Sequence, residues 1–122
     1  MPNYALEMQM FNLPEERNFK LLKSEADSVY KLYRPNNEIL YTSEVQKNST
    51  NPTFETTLFK LGFTEMVPTS KFLVKVENQG FMHNDLIGEA EIRFPFFGRH
   101  PLKSAQTGAG NAYIECKGRL PR

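Results

Sequence analysis

Residues 74–94, VKVENQGFMHNDLIGEAEIRF, constrain the fold more than any other stretch of this chain. An alternating apolar–polar run enters a polar loop, and Asp85-Leu86-Ile87-Gly88-Glu89 opens a second alternating run. Period-two alternation marks a strand with one face buried and one in water, so the segment reads as two strands joined at one end. Asp85 stands at the junction of loop and strand, with Phe81 and Met82 at the loop's tip. Such a loop can carry oxygen ligands at its base. Here the acids are sparse and the tip is apolar, which points to a docking module rather than an enzyme.

The same alternation recurs along the chain. Leu6, Met8 and Met10 face one way and Glu7 and Gln9 the other, until Asn12-Leu13-Pro14 stops the run. Residues 29–34 form a short strand that Pro35-Asn36-Asn37 turns into a hairpin partner over 39–47. A dense turn cluster at 48–52 precedes a strand over 54–61. Residues 100–105 read as an edge strand, because Pro101 suits an edge better than a centre. A last strand over 112–119 carries Ile114 and Cys116 inward. Residues 14–25 stay open between a short helix and a long loop: Pro14 fits a first helical position, and Phe19 and Leu22 lie three apart. About eight short strands with turn signals between them predict an all-β antiparallel sandwich.

A chain of 122 residues supports one domain, taken as 1–122 with its core between about Tyr4 and Arg119. Net charge is +1, so no global basic field argues for nucleic acid. The single Cys116 cannot form an internal disulfide and reads as a small buried strand residue. No basic n-region with an apolar run opens the chain, and no apolar stretch reaches bilayer-spanning length. A cytoplasmic protein peripheral to a membrane is expected. His83 and His100 are isolated, no nucleophile elbow or phosphate loop occurs, and Gly108-Ala109-Gly110 precedes a strand. No enzymatic role, small-molecule substrate or required cofactor is expected.

Three motifs then carry a resemblance. Asp27 precedes VYKLYR, KNSTNPTF spans 47–54, and NDLIGE spans 84–89. Together they resemble the C2 domain, the calcium- and lipid-binding sandwich named for a conserved region of protein kinase C. The stretches YRPNNEILYTSEVQKNSTNP and HPLKSAQTGAGNAYIECKG are most similar to the C2 domains of copines. The resemblance implies an eight-stranded antiparallel β-sandwich in the circularly shifted, type II strand order.

The resemblance also places a calcium site. By position its residues are Asn18 and Asp27 on the first loop and Glu77, Gln79 and Asp85 on the later one. Calcium takes about six to eight oxygens, and affinity follows the number that are charged. Asn18 and Gln79 are neutral, so Ca²⁺ binding is expected to be weak or lost. Asp27 and Asp85 equally fit Asx-turns that bind backbone amides. The first loop interleaves Phe19, Leu21 and Leu22 with Lys20 and Lys23, and the later one offers Phe81 and Met82. If both loops share one end, these make an apolar tip with a basic collar. Lys31, Lys47 and Lys60 form a second candidate, a basic sheet face. The expected function is non-catalytic docking on an anionic phospholipid surface or a protein partner, with little help from calcium. The alternatives are a Ca²⁺-dependent phospholipid binder and a protein-interaction scaffold.

Overall fold

The computed structural model describes residues 2–14, 16–17, 23–24, 26–80, 82–104 and 111–121. In chain order the strands are β1 (Asn3–Phe11), β2 (Glu16–Arg17), β3 (Lys23–Ser24), β4 (Ser28–Tyr33), β5 (Ile39–Thr42) and β6 (Thr57–Lys60). They continue with β7 (Lys71–Asn78), β8 (Asp85–Arg93), β9 (Phe97–Pro101), β10 (Lys103–Ser104) and β11 (Tyr113–Arg119). Among the described residues the helical content is one short turn, Phe63–Glu65. Among the described residues eight strands exceed two residues, and every pairing is antiparallel. The chain is an all-β sandwich of two sheets.

One sheet runs β6-β1-β11-β9 and the other β10-β8-β7-β4-β5, with β2 and β3 paired apart from both. The last strand therefore lies inside its sheet, between β1 and β9. Alternation explains which side chains meet in the middle. Tyr4, Leu6, Met8 and Met10 of β1, with Ile114 and Cys116 of β11, face Tyr30, Leu32, Phe72, Val74 and Val76 of the second sheet, all buried. The β-branched and aromatic content of these runs suits a pleated, half-buried surface. Ile114, Cys116 and the β1 trio sit inward as their periodicity predicts.

Three segments depart from the sequence reading. At 14–25 the described residues form no helix: Glu16 and Arg17 pair with Ser24 and Lys23 in a two-residue ladder. The strand expected over 39–47 ends at Thr42, where the Tyr30 amide donates to the Ser43 hydroxyl oxygen at 2.9 Å instead of to a backbone carbonyl, and Gln46 returns to bridge Ser28. The edge strand expected over 100–105 divides between the sheets. His100 and Pro101 close β9 at an edge of the first, whereas Lys103 and Ser104 pair with β8 in the second. Buried Leu102 is the crossover, its amide donating to the Ala112 carbonyl. Alternation records which face of a strand is buried and carries no information about which sheet the strand joins.

Candidate functional site

Strand register gathers the site. Ser28 is paired with Asn78, Asn78 with Asp85, and Ser28 on its other side bridges Gln46. Asp27, Gln79 and Asp85 therefore stand beside one another at one end of the second sheet, one before β4, one after β7 and one opening β8.

Asp27 is the hub of this end. Its Oδ1 accepts the Asn48 backbone amide at 2.8 Å, its own amide donates to Asn78 Oδ1 at 2.9 Å, and its carbonyl accepts from the Gln79 amide at 2.7 Å. Asn48 lies in the left-handed region with φ 52°, a conformation that Asn tolerates better than most residues. The Ser49 amide adds a bond to the Ala26 carbonyl. A half-buried carboxylate so used is an Asx-type anchor that joins the turn at 46–49 to the loop before β4.

Glu77, the first candidate ligand of the later loop, has partners on the sheet. In β7, Phe72, Val74 and Val76 point into the core, so alternation turns Glu77 to the outer face of the sheet. There its carboxylate meets the Lys31 ammonium at 3.2 Å and accepts from Asn84 Nδ2 at 3.1 Å. Asp85 is exposed and lies 3.2 Å from His83 Nε2. Gln79 is exposed as well, and Asn18 lies outside the described residues. Among the described residues no three His, Cys, Asp or Glu side chains converge as a metal would require. Calcium needs several charged oxygens turned to one point. Asp27, Glu77 and Asp85 are each turned to a different partner.

The tip is placed in part. Met82 is 84% exposed on the loop between β7 and β8. That loop is tight, since a Cβ on Gly80 would collide with the His83 carbonyl oxygen. Phe19, Lys20, Leu21, Leu22 and Phe81 lie outside the described residues, and Lys23 is described only as the β3 partner of Arg17.

The three lysines expected on one basic face do not share it. Lys31 faces outward on β4, Lys47 is exposed just after the bridging Gln46, and Lys60 ends β6 in the other sheet. Lys31 is moreover held by Glu77. Its cross-strand neighbour is Lys75, whose ammonium lies 5.0 Å from the Tyr33 ring centroid. Sequence reasoning missed Lys75, Asn48, Asn78 and Asn84. Lys75 shares the phase of Glu77 along β7, but its pairing with Lys31 depends on a register that one strand alone does not reveal.

A concavity of about 390 Å³ forms a trough on the four-stranded sheet, lined by Glu7, Gln9, Thr53, Phe97, Glu115 and Lys117. It touches none of the residues at the Asp27 end. Cys116 borders it, yet burial first and the Glu115 charge second push its thiol up to about 12, which keeps it protonated and unreactive at neutral pH. Among the described residues no helix is long and apolar enough to cross a membrane.

The C2 domain family model matches residues 8–108 of this chain. Comparison with curated proteins gives no significant match. Solved structures give many. One titled as the structure of a C2 domain is 17% identical, covers 100% of both chains and superposes with a TM-score of 0.67. A single C2 domain of a plant Extended Synaptotagmin 1 is 11% identical over 99% of this chain and 96% of its own, with a TM-score of 0.70. The calcium-bound pair of C2 domains from Extended-Synaptotagmin 2 is 12% identical over 97% of this chain and 45% of its own, at 0.67. These likenesses are to the fold. With the family match covering most of the sequence and the paired sheets agreeing with it, the chain belongs to the C2 domain family.

Proposed function

We propose that this chain is a non-catalytic module that docks peripherally on anionic phospholipid membranes at the cytoplasmic side, through the end that carries Met82, with calcium dependence weak or lost. One observation carries the reading: the three carboxylates of that end are each engaged by a separate partner, while a large apolar side chain next to them stands in solvent. An apolar tip gains by entering the interface. Full burial of a Met or Phe is worth about 1.5–3 kcal/mol, and each Lys beside an anionic leaflet adds about 1 kcal/mol. Sums of that size give weak, reversible attachment. Phe81 is the sequence neighbour of Met82, and the sequence reading alone assigns it to the same tip. Lys47 is exposed at this end, and the sequence resemblance alone assigns Lys20 and Lys23 to the same collar. The copine-like character rests on the sequence stretches quoted above, and the type II order accords with a last strand that lies inside its sheet.

Sedimentation with phosphatidylserine-containing vesicles tests the reading. Binding is expected to be the same in millimolar Ca²⁺ and in chelator. Phe81→Ser with Met82→Ser should weaken it at any ionic strength. Lys20→Gln with Lys23→Gln should weaken it mainly at low salt, because that attraction is screened over about 8 Å at physiological ionic strength. Binding seen only with Ca²⁺ would establish the metal-dependent alternative. No binding in either buffer would leave a protein partner as the target of this end.

A further inference from the structure

The loop 79–84 leaves one strand and returns to the next, and its two arms are held differently. The outgoing arm is fixed by Asp27, whose carbonyl takes the Gln79 amide and whose amide reaches Asn78 Oδ1. The returning arm precedes Asp85, and there the described residues place a different tie. Asn84 Nδ2 donates to Glu77 Oε1 at 3.1 Å, and the same oxygen faces the Lys31 ammonium at 3.2 Å.

Register makes this tie work. The pairing of β7 with β8 shifts between Val76 and Glu77, so Glu77 pairs with Leu86 rather than with Ile87. The shift brings the end of β7 and the residues before β8 into reach of one another. Glu77 is 15% exposed, which shields its carboxylate from full hydration and strengthens its bonds. Lys31 then balances the charge and fixes the rotamer from the neighbouring strand. One carboxylate oxygen thus ties the returning arm of the loop to two strands of the sheet.

We propose that Glu77 is a positioning residue: through Asn84 on one side and Lys31 on the other, it holds the loop 79–84 in the pose that presents Met82 to a membrane, with no metal involved. The consequence for binding rests on the docking function proposed above; the tie itself does not. A loop held in its bound pose binds better because less ordering is left to do on contact.

Relaxation of ¹⁵N at residues 82–84 in the lipid-free protein, with vesicle partition in parallel, tests the proposal. Glu77→Ala and Asn84→Ala should each lower the order parameters there from about 0.85 to below about 0.6. Each should also reduce partition about three- to tenfold, by the same factor in Ca²⁺ and in chelator. Glu77→Gln should stay near wild type in both, since an amide oxygen still accepts from Asn84 and Lys31. Unchanged order in Glu77→Ala would overturn the proposal, and so would a loss of partition confined to Ca²⁺-containing buffer, which would make Glu77 a metal ligand. If the wild-type chain does not bind vesicles at all, the docking function fails, and the relaxation data alone decide whether the tie exists.

Discussion

At the Asp27 end the loops are held by single hydrogen bonds from polar side chains, whereas at the opposite end the chain is held by packed aromatic rings. Phe96 is fully buried and meets Tyr4, Phe59, Phe72 and Phe94 edge-on at centroid distances of 4.8–6.2 Å. The Tyr4 hydroxyl donates to the Pro95 carbonyl at 2.8 Å, and Gly118 packs where a Cβ would collide with that same oxygen. Rings in contact resist exchange with water. The hydrogen bonds that the Asp27, Asn78 and Glu77 side chains accept can be traded for bonds to water at modest net cost. The two ends are held differently: one by packed rings in the core, and the other by polar side-chain ties that water can reach.

The heaviest loss should come from the aromatic end. Phe96→Ala should destabilise the fold by about 3–5 kcal/mol, the usual cost of emptying a buried aromatic site. Its backbone lies at φ 66°, where alanine gains no conformational relief. Urea unfolding would measure the loss. A cost below about 1 kcal/mol would mean that the aromatic cluster is not what holds this end. Whatever remains folded should bind vesicles as the wild type does, because the change is remote from Met82.

High pH acts on the same region and on the core, and its sign follows from burial. Burial raises the phenols of Tyr4 and Tyr30 and the thiol of Cys116. Each is held in its neutral form by the fold. Its contribution is complete below the ordinary thiol and phenol range and is lost as pH rises towards the folded values. Stability should therefore be level near neutrality and fall above about pH 9. Tyr30 adds a second lever, since its buried hydroxyl has no hydrogen-bond partner among the described residues. Tyr30→Phe should be neutral or stabilising by up to about 1 kcal/mol at pH 7, and should flatten the alkaline decline. Thermal melts from neutral to strongly alkaline pH would check both. A marked loss at pH 7 would show that the hydroxyl is paired.

What is legible in the sequence follows the same division. The inward faces of β1, β7 and β11 are readable because alternation encodes them. The motifs around Asp27 and Asp85 mark strand ends, and it is register that brings those ends together. For Glu77 the motif position suggests a ligand, while the strand's own alternation turns it outward beside Lys31. The basic face fails for a different reason. Lys31 and Lys60 each look like exposed strand lysines, and only the pairing of β6 with β1 shows that they lie on separate sheets. The side-chain ties of Asn48, Asn78 and Asn84 leave no periodic signal, since one asparagine in a turn resembles another until its partner is known.

The mildest change concerns Asp27, where one carboxylate has two rival explanations. As a turn anchor it needs only an acceptor facing the Asn48 amide, and an asparagine carbonyl supplies one. Asp27→Asn should then cost less than about 0.5 kcal/mol, whereas Asp27→Ala, which leaves that amide without its partner, should cost about 1 kcal/mol. The bond is exposed, which is why the larger figure stays modest. As a metal ligand Asp27 would behave otherwise. A ligand present at about a hundred times its dissociation constant stabilises by about 2.7 kcal/mol, so millimolar Ca²⁺ would raise the melting temperature of the wild type and not of Asp27→Asn. The expected outcome is a melting temperature unmoved by Ca²⁺ in both proteins and a graded loss from Asp27 through Asn to Ala. Scanning calorimetry with Ca²⁺ and with chelator separates the two. A rise of several degrees that Asp27→Asn abolishes would make this end a metal centre and remove the contrast between an end held by packing and one held by polar ties.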